Sequence, residues 1–206
     1  MNEIRLLIVD DHAIVRTGLV ALLESDGHIA VVGEADDGNA ALPLVRKLKP
    51  DIVIMDILMP GKNGIAATQE IKERRPETKV LILTTSTVSD DLAAALAAGA
   101  DGAITKSTAN ATLLSAVKDI AVGKRVISPE IAKLIANDPP VKALTERQRI
   151  ILEAMAKGKG NKEIAAQLDI QTDSVRQHVI AILQKLGAAN RTEAVAIALR
   201  KQLLKI

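Results

Sequence analysis

The chain of 206 residues contains no cysteine, so it forms no disulfide and offers no thiolate to a substrate or a metal. It also contains no phenylalanine, tyrosine or tryptophan, which excludes any function that needs aromatic stacking or an aromatic side chain that changes rotamer. There is no run of about 18 apolar residues, so we expect no transmembrane helix and no membrane partner. The first residues carry no long apolar segment, so we expect no signal peptide and a cytoplasmic protein.

Charge is distributed unevenly along the chain. Residues 1–123 hold 12 Lys/Arg and 17 Asp/Glu, a net charge of −5, whereas residues 124–206 hold 15 and 8, a net charge of +7. An acidic half followed by a basic half indicates two domains, of which the second binds a polyanion. Ordinary variation in surface charge is the alternative interpretation.

The first half of the chain alternates short apolar runs with helical patterns. Apolar runs near 5–9, 29–33, 52–55, 80–84 and 102–105 predict five buried parallel strands. Helical patterns follow them near 14–23, 39–47, 64–74, 90–98 and 109–122. This order predicts a doubly wound α/β domain over residues 1–123. Pro43 lies within the second helical pattern and should be tolerated only near the first turn.

The second half of the chain changes character. Residues 124–141 lack a sustained period and contain several Gly and Pro residues, which indicates an interdomain linker with a short helix over 129–136. From Leu144 the pattern is helical, and Thr145 with Gln148 predicts a capping box. Four helices are predicted over 142–206, and the short turn at 169–172 makes the second and third a helix-turn-helix candidate.

Polar residues follow four of the five apolar runs. They are Asp10, Asp11, Asp56, Thr84 and Lys106. The carboxyl ends of parallel strands meet at one rim of a sheet, so these side chains should converge there. Crowded carboxylates repel one another, and a divalent cation with a preference for oxygen ligands, such as Mg²⁺, relieves that repulsion.

Such a site favours phosphoryl chemistry. Asp56 becomes a candidate nucleophile towards phosphorus, since aspartyl-phosphates are an established covalent form. Lys106 would balance the added charge, and the Thr84 hydroxyl would hydrogen-bond a phosphoryl oxygen. The alternative is that the acidic residues only cap the helices that follow them.

Residues 1–122 resemble the receiver domain of bacterial two-component response regulators, through the stretches 7–12, 51–61, 80–84 and 99–106. The resemblance implies a flavodoxin-like fold of five parallel strands and five helices, with Asp56 accepting phosphate from a sensor histidine kinase. It also implies that Asp11, Asp56 and the backbone carbonyl of Leu58 hold Mg²⁺, with Asp10 acting mostly through water. Thr84 and Lys106 would then contact the phosphate and so sense its presence.

The chain departs from this family at one position. Members usually carry Tyr or Phe three residues before the lysine, and this aromatic residue changes rotamer on activation. Here Ala103 occupies that position. The effect of activation therefore has to reach the rest of the protein through Thr84, the fourth helix and changes in side-chain packing.

The second half is similar to the LuxR-type helix-turn-helix domain, through the stretches 144–152, 161–165, 174–179 and 183–187. The whole chain thus resembles a NarL/FixJ-class transcription factor that binds double-stranded DNA, with an all-α, four-helix second domain. A recognition helix places the side chains of its first half against base edges in the major groove. Arg176 and Gln177 are candidates for reading guanine and adenine, although a solvated helix face is the alternative. We assign phosphate contacts to Lys162, Thr172, Ser174, His178 and Lys185.

Three further expectations complete this interpretation. Ile180 either contacts a thymine methyl or faces solvent. The histidines are too scattered to predict a zinc site. The active form should be a homodimer that uses small and apolar residues of the last helix, namely Ala194, Val195, Ile197, Ala198 and Leu199.

The expected function is phosphorylation-controlled transcription regulation, with RNA polymerase as a further candidate partner. Until phosphorylation, the acidic first domain should mask the basic second domain. An aspartyl-phosphate phosphatase is one alternative, but Leu58 stands where such an enzyme needs a proton-transferring acid, so we do not expect an enzyme. A DNA-binding module with an unphosphorylatable first domain is the other.

Overall fold

The computed structural model describes residues 3–201 and 203–204. The chain separates into two compact units, Met1–Pro139 and Pro140–Ile206. Within the described residues, no helix combines the length and apolarity needed to cross a bilayer.

The first unit is built around one parallel sheet. Its strands are β1 (Ile4–Val9), β2 (Ile29–Ala35), β3 (Ile52–Met55), β4 (Lys79–Thr84), β5 (Gly102–Thr105) and β6 (Val126–Ile127). They lie in the order β2-β1-β3-β4-β5-β6, and every neighbouring pair is parallel. The helices are α1 (Ala13–Glu24), α2 (Gly38–Leu48), α3 (Gly64–Arg74), α4 (Ser89–Ala97), α5 (Asn110–Ala121) and α6 (Pro129–Asn137). The five predicted strands and the flavodoxin-like order are confirmed, and β6 is an addition.

Each face of the sheet buries its own apolar cluster. On β1, Leu6 and Ile8 belong to the cluster that also takes residues of α1 and α5. Leu7 and Val9 belong to the opposite cluster, which takes residues of α2, α3, α4 and α6. Successive side chains of a strand point to opposite faces, so a continuous apolar run is required when helices cover both sides.

Much of the predicted linker over 124–141 is regular structure that belongs to the first unit. Residues 126–127 pair with β5 as β6, and α6 follows with Ser128 accepting a hydrogen bond from the Ile131 amide. Ile131 is completely buried in the cluster that contains α4. The predicted short helix over 129–136 is confirmed, but it packs onto the first unit because it carries an apolar face. Residues 139–145, between α6 and the next helix, contain no helix or strand.

Helix α2 runs through Pro43, which lies in its second turn. The prediction that this proline requires the first turn is therefore wrong. Proline removes one backbone donor, but the start of α2 is well capped, because the Asp37 carboxylate accepts hydrogen bonds from the Asn39 and Ala40 amides at 2.8 Å. The αL conformation of Lys49, with φ of 48°, ends the helix.

The second unit is helical, with α7 (Glu146–Ala156), α8 (Asn161–Leu168), α9 (Thr172–Leu186) and α10 (Arg191–Arg200). The predicted capping box of Thr145 and Gln148 is confirmed. The N-caps of α8 and α10 are Gly160 and Asn190. Residues 169–171 join α8 to α9, and Asp169 adopts φ of 50° at that turn.

Candidate functional site

The ends of four strands bring the predicted polar residues to one rim. Asp10 follows β1 and Asp56 follows β3, and the Asp56 amide donates to the Val9 carbonyl at 2.9 Å. Thr84 ends β4, and the Lys106 amide donates to its carbonyl at 2.9 Å. The parallel register therefore places all four positions side by side, as the sequence predicts.

Lys106 joins the two most buried carboxylates of the rim. Its Nζ lies 2.6 Å from Asp10 Oδ2 and 2.6 Å from Asp56 Oδ2. The Asp10 and Asp56 side chains are only 3% and 2% exposed. Burial alone would lower the pKa of Lys106, but its hydrogen bonds with Asp10 and Asp56 outweigh burial and raise that pKa above its ordinary value. Lys106 is therefore an ammonium group at neutral pH.

The acidic cluster fits a divalent cation. Ligand atoms of Asp10, Asp11, His12 and Asp56 all lie within 4.8 Å of one another. Asp11 Oδ1 is buried and accepts no hydrogen bond, and its ion-pair neighbour is His12 Nδ1 at 2.8 Å. A buried carboxylate oxygen without a donor, beside two further carboxylates, is the oxygen-rich environment that Mg²⁺ prefers. The Leu58 amide approaches Asp56 Oδ1 at 3.4 Å, and the role of the Leu58 carbonyl stays a prediction.

The backbone after Asp56 is held tightly by α3. The Gly64 amide donates to the Ile57 carbonyl at 3.0 Å. A Cβ at Gly64 would overlap the Asp56 carbonyl oxygen, so only glycine lets α3 begin this close to the strand end. The position of the Asp56 carboxylate therefore depends on this close approach.

Thr84 is connected to the beginning of α4 by a short hydrogen-bond series. Its fully buried hydroxyl accepts from the Ser86 amide at 3.0 Å. Ser86 Oγ in turn accepts from the Val88 amide at 3.2 Å and donates to Asp91 Oδ2 at 3.4 Å. Burial raises the pKa of Asp91, and the hydrogen bond from Ser86 opposes that rise. The hydroxyl predicted to bind phosphate is thus already tied to the loop that leads into α4.

The sequence interpretation missed two residues of the rim. His12 Nδ1 lies 3.2 Å from Asp10 Oδ1. Arg16 donates from its guanidinium to the Asp10 backbone carbonyl at 2.6 Å and lies 3.4 Å from Glu34. Arg16 stands one helical turn into α1, and the i, i+4 spacing from His12 could have indicated that it faces the same rim.

The predicted recognition helix presents its polar residues to solvent. Arg176, Gln177 and Ser174 are exposed on α9, together with Thr172 at its first position and Lys162 on α8. His178 is half-buried, and Ile180 is 41% exposed. The opposite face is buried by Val175, Ile182 and Leu186.

Lys185 differs from the other residues predicted to bind DNA. Its Nζ donates to the Ala143 carbonyl at 2.7 Å and to Gln148 Oε1 at 2.8 Å. Gln148 is itself 6% exposed and belongs to the capping box of α7. The ammonium of Lys185 therefore braces α9 against the start of α7, and it is the weakest member of the predicted phosphate-binding set.

The predicted dimer face on α10 is also smaller than the sequence suggests. Ala194 and Ala198 are completely buried in the core of their own unit. Val195 and Ile197 are partly buried against the same core, whereas Leu199 is 42% exposed. Leu199 is thus the apolar residue of the predicted set that remains most accessible to a second copy.

Comparison with known proteins identifies both units. Residues 6–118 match the family model of the response regulator receiver domain. Residues 142–198 match the model of bacterial regulatory proteins of the luxR family. The chain belongs to the two-component response regulators. Its second unit is a LuxR-type DNA-binding domain, so the general role of this response regulator is transcription regulation.

Similar proteins cover nearly the whole response regulator. The transcriptional regulatory protein YdfI of Bacillus subtilis is 36% identical over 214 residues, which is 100% of this chain and 99% of that protein. The response regulator protein VraR of Staphylococcus aureus is 38% identical over 207 residues, which is 98% of this chain and 99% of that protein. The structure of the RcsB–DNA complex aligns with a TM-score of 0.69 at 26% identity, over 97% of this chain and 99% of that chain.

Proposed function

We propose that this response regulator accepts phosphate on Asp56 from a sensor histidine kinase in the cytoplasm. Phosphorylation then controls dimerisation and sequence-specific binding to double-stranded DNA. The observation that carries the proposal is the contact of Lys106 with both Asp10 and Asp56, 2.6 Å from each, at a rim where Thr84 supplies a hydroxyl.

The residues of the rim have separate roles in phosphoryl transfer. An Asp56 oxygen attacks phosphorus, and the phosphorus–nitrogen bond to the histidine of the kinase breaks as the new phosphorus–oxygen bond forms. Lys106 exchanges one carboxylate partner for a phosphoryl oxygen, and the Thr84 hydroxyl donates to another. These two contacts hold the product and report its presence to the β4–α4 loop.

The acidic residues would hold Mg²⁺. Asp11 and Asp56 would be ligands together with the Leu58 carbonyl, and Asp10 would act mostly through water. When bound, the ion would supply positive charge against the phosphoryl oxygens. The buried oxygen of Asp11, which accepts no hydrogen bond, supports this assignment.

The DNA-binding role rests on the exposed residues of α9 and on the DNA-bound structure of a similar protein. RcsB, a similar protein, is known in complex with DNA. Here Arg176 and Gln177 are exposed on the first half of α9, where side chains of a recognition helix reach base edges. Lys162, Thr172 and Ser174 would contact phosphates, with His178 as a further member of that set.

Dimerisation would give the recognition helix a second half-site. A single helix-turn-helix domain buries little surface, and symmetric dimers commonly read paired half-sites. Leu199 on α10, with its exposed neighbour Ala196, is the contact that we assign to a second copy. RNA polymerase is a further candidate partner at the promoter.

The test combines phosphate uptake with DNA selection. Treatment with acetyl phosphate and Mg²⁺ should add one phosphate by intact mass, and Asp56→Asn should remain unmodified. Selection on random duplexes, with and without the phosphodonor, should then enrich one sequence more strongly in the phosphorylated sample. Full modification of Asp56→Asn would refute the assignment of the acceptor.

The same experiment separates the alternatives. Enrichment that is independent of phosphate would favour a constitutive DNA-binding module. Catalytic release of phosphate from a small phosphodonor, without DNA enrichment, would favour a phosphatase.

A further inference from the structure

The first unit ends in a segment that crosses the edge of the sheet, and we call residues 126–138 the strap. Its β6 residues pair with Gly102 and Ala103 of β5. The Val126 amide donates to the Asp101 carbonyl at 3.2 Å, and the Ser128 amide donates to the Ala103 carbonyl at 3.0 Å. The strap therefore begins as a short sixth strand.

The apolar face of the strap covers the position where related receivers carry an aromatic residue. Ile131 is completely buried in the cluster that contains Ala103 and Leu92 of α4. Leu134 and Ile135 pack against the same cluster. Ala103 is itself completely buried. In this chain, the strap occupies the surface beside Ala103 and α4.

The end of the strap is tied to the beginning of α4. Ser89 is the first residue of α4 and is 2% exposed. Its Oγ donates to Asp138 Oδ2, at the end of α6, over 2.9 Å. A hydrogen bond to a charged acceptor is stronger than one between neutral groups.

The Ser89–Asp138 hydrogen bond lies only a few residues along the chain from Thr84, whose hydroxyl would bind the phosphoryl group. The Ser86 amide donates to Thr84 Oγ1, and the Val88 amide donates to Ser86 Oγ. Ser89, the first residue of α4, directly follows Val88. Two hydrogen bonds therefore connect the Thr84 hydroxyl to the loop whose last residue precedes Ser89.

We propose that the strap is a latch that phosphorylation releases. In the unphosphorylated chain, the Thr84 hydroxyl accepts from Ser86, the β4–α4 loop is fixed, and the Ser89–Asp138 hydrogen bond holds the strap on α4. When Thr84 turns to a phosphoryl oxygen on Asp56, Ser86 loses its acceptor and the start of α4 shifts. This inference rests on the proposed function for its trigger, but the latch itself does not.

Release changes the connection to the DNA-binding unit. With the strap docked, residues 139–145 are the segment between helices that contains no helix or strand. With the strap released, the segment reaches back to residue 126. An extended chain spans roughly 3.3–3.6 Å per residue, so lengthening the connection from residues 139–145 to residues 126–145 increases its reach at most about threefold. The second unit then gains the freedom to meet a second copy or a DNA half-site.

The absence of cysteine allows a direct measurement. In the full chain, Ile131→Cys introduces a single thiol that is buried only while the strap is docked. Its rate of maleimide labelling reports strap opening. Ile71→Cys places the matched control thiol on α3, fully buried in the same cluster but outside the strap.

Two perturbations test the latch and its trigger separately. Ser89→Ala, without phosphate, should accelerate labelling at position 131 about tenfold, as expected for loss of a charge-assisted hydrogen bond. Ser115→Ala, on the exposed side of α5, should leave the rate unchanged. Acetyl phosphate with Mg²⁺ should accelerate labelling at 131 by a similar factor, while the rate at 71 stays constant.

The outcomes distinguish this inference from the proposed function. If Ser89→Ala leaves the rate at 131 unchanged, the latch is refuted. If the intact mass shows one phosphate but the rate at 131 does not change, the trigger is refuted while the proposed acceptor stands. If no phosphate is added, the proposed function and the trigger both fail, and the Ser89→Ala result alone decides the latch.

Hydrogen exchange on the unsubstituted chain provides the check against misfolding of the cysteine variants. Amides of residues 126–138 should lose protection on phosphorylation, while those of β1 and β3 keep it. Unchanged protection of the strap in a fully phosphorylated sample would overturn the release step independently of any substitution.

Discussion

Replacing Lys106 by methionine should destabilise the first unit strongly in the absence of divalent cations. The substitution keeps the length of the side chain but removes the ammonium that lies 2.6 Å from both Asp10 and Asp56. Those carboxylates are 3% and 2% exposed, so neither can regain full hydration after the change. Removing one partner of a buried ion pair costs roughly 3–5 kcal/mol, because a buried charge is left uncompensated. We expect about 3 kcal/mol, at the lower end of this range, since Asp11 beside the pair is 28% exposed and leaves the rim open to water.

The matched control is Lys118→Met. Lys118 also contacts one carboxylate, Asp26, at 2.7 Å, but its side chain is 49% exposed. An exposed pair of this kind contributes about 0–1 kcal/mol. The comparison therefore separates burial of the ion pair from simple loss of a positive charge.

The measurement is urea unfolding in EDTA, followed by hydrogen exchange of peptides from β1 and β3, which isolates the first unit from the second. Far-UV circular dichroism supplies the global curve, because the chain has no aromatic residue for fluorescence. Added Mg²⁺ should then restore more stability to Lys106→Met than to the parent, since the metal no longer competes with an ammonium. Equal losses for Lys106→Met and Lys118→Met in EDTA would refute the bridging role of Lys106.

Four further outcomes are expected. Arg176→Ala should cost about 1–3 kcal/mol of DNA-binding free energy and reduce the sequence preference at one base position. Lys162→Ala should weaken binding to all sequences alike and reduce the salt dependence of the affinity. Fluorescence anisotropy measures both affinities. The isolated 142–206 fragment should bind the selected duplex without a phosphodonor, and the intact unphosphorylated chain more weakly; equal affinities would contradict masking. Burial raises the pKa of Asp91 above its ordinary value of 3.8. Below pH 3.8 the carboxyl is protonated and does not oppose folding, whereas above the raised pKa its ionised form does. Asp91→Asn should therefore increase the urea midpoint at pH 7, and the gain should shrink as the pH falls towards 3.8. The aspartyl-phosphate should persist for roughly tens of minutes or longer, because apolar Leu58 cannot orient the attacking water; a half-life of seconds by phosphate release would contradict this.

The rim could be predicted because it follows from chain direction alone. When strands are parallel, their carboxyl ends meet, and Asp10, Asp56, Thr84 and Lys106 each stand at or directly after such an end. The sequence positions therefore determine the convergence without knowledge of any helix packing. The buried face of α9 was predictable for a similar reason, because Val175, Ile182 and Leu186 recur at helical spacing.

The short helix of the strap was predicted, but its docking onto the first unit was not, because the local signals of this segment indicate a linker. Gly and Pro residues are typical of linkers, and a two-residue strand such as β6 leaves no periodic pattern. Only the tertiary contact of Ile131 with the α4 side of the core reveals that the segment is docked. The apolar spacing of 127, 131, 134 and 135 is a signal that could have been used.

The second unit shows another limit of sequence patterns. Lys185 looks like a phosphate ligand from its charge and helix, but it is held by Gln148 and the Ala143 carbonyl, 42 residues away along the chain. Ala194 and Ala198 look available for a helix–helix contact, but the core of their own unit uses both. In each case a contact between distant segments decides the role of the side chain.

The two-residue length of β6 has a consequence for how this protein behaves in concentrated solution. An outer strand with unpaired backbone groups is a template on which other extended chains assemble, and proteins usually blunt such an edge. Here the carbonyls of Asp101 and Ala103 are covered by the Val126 and Ser128 amides. A molecule with β6 detached presents these acceptors to any neighbouring extended segment, including β6 of another copy. Reciprocal exchange of β6 would then join two molecules through contacts that each already contains, and light scattering of the phosphorylated protein should detect the association as its concentration increases.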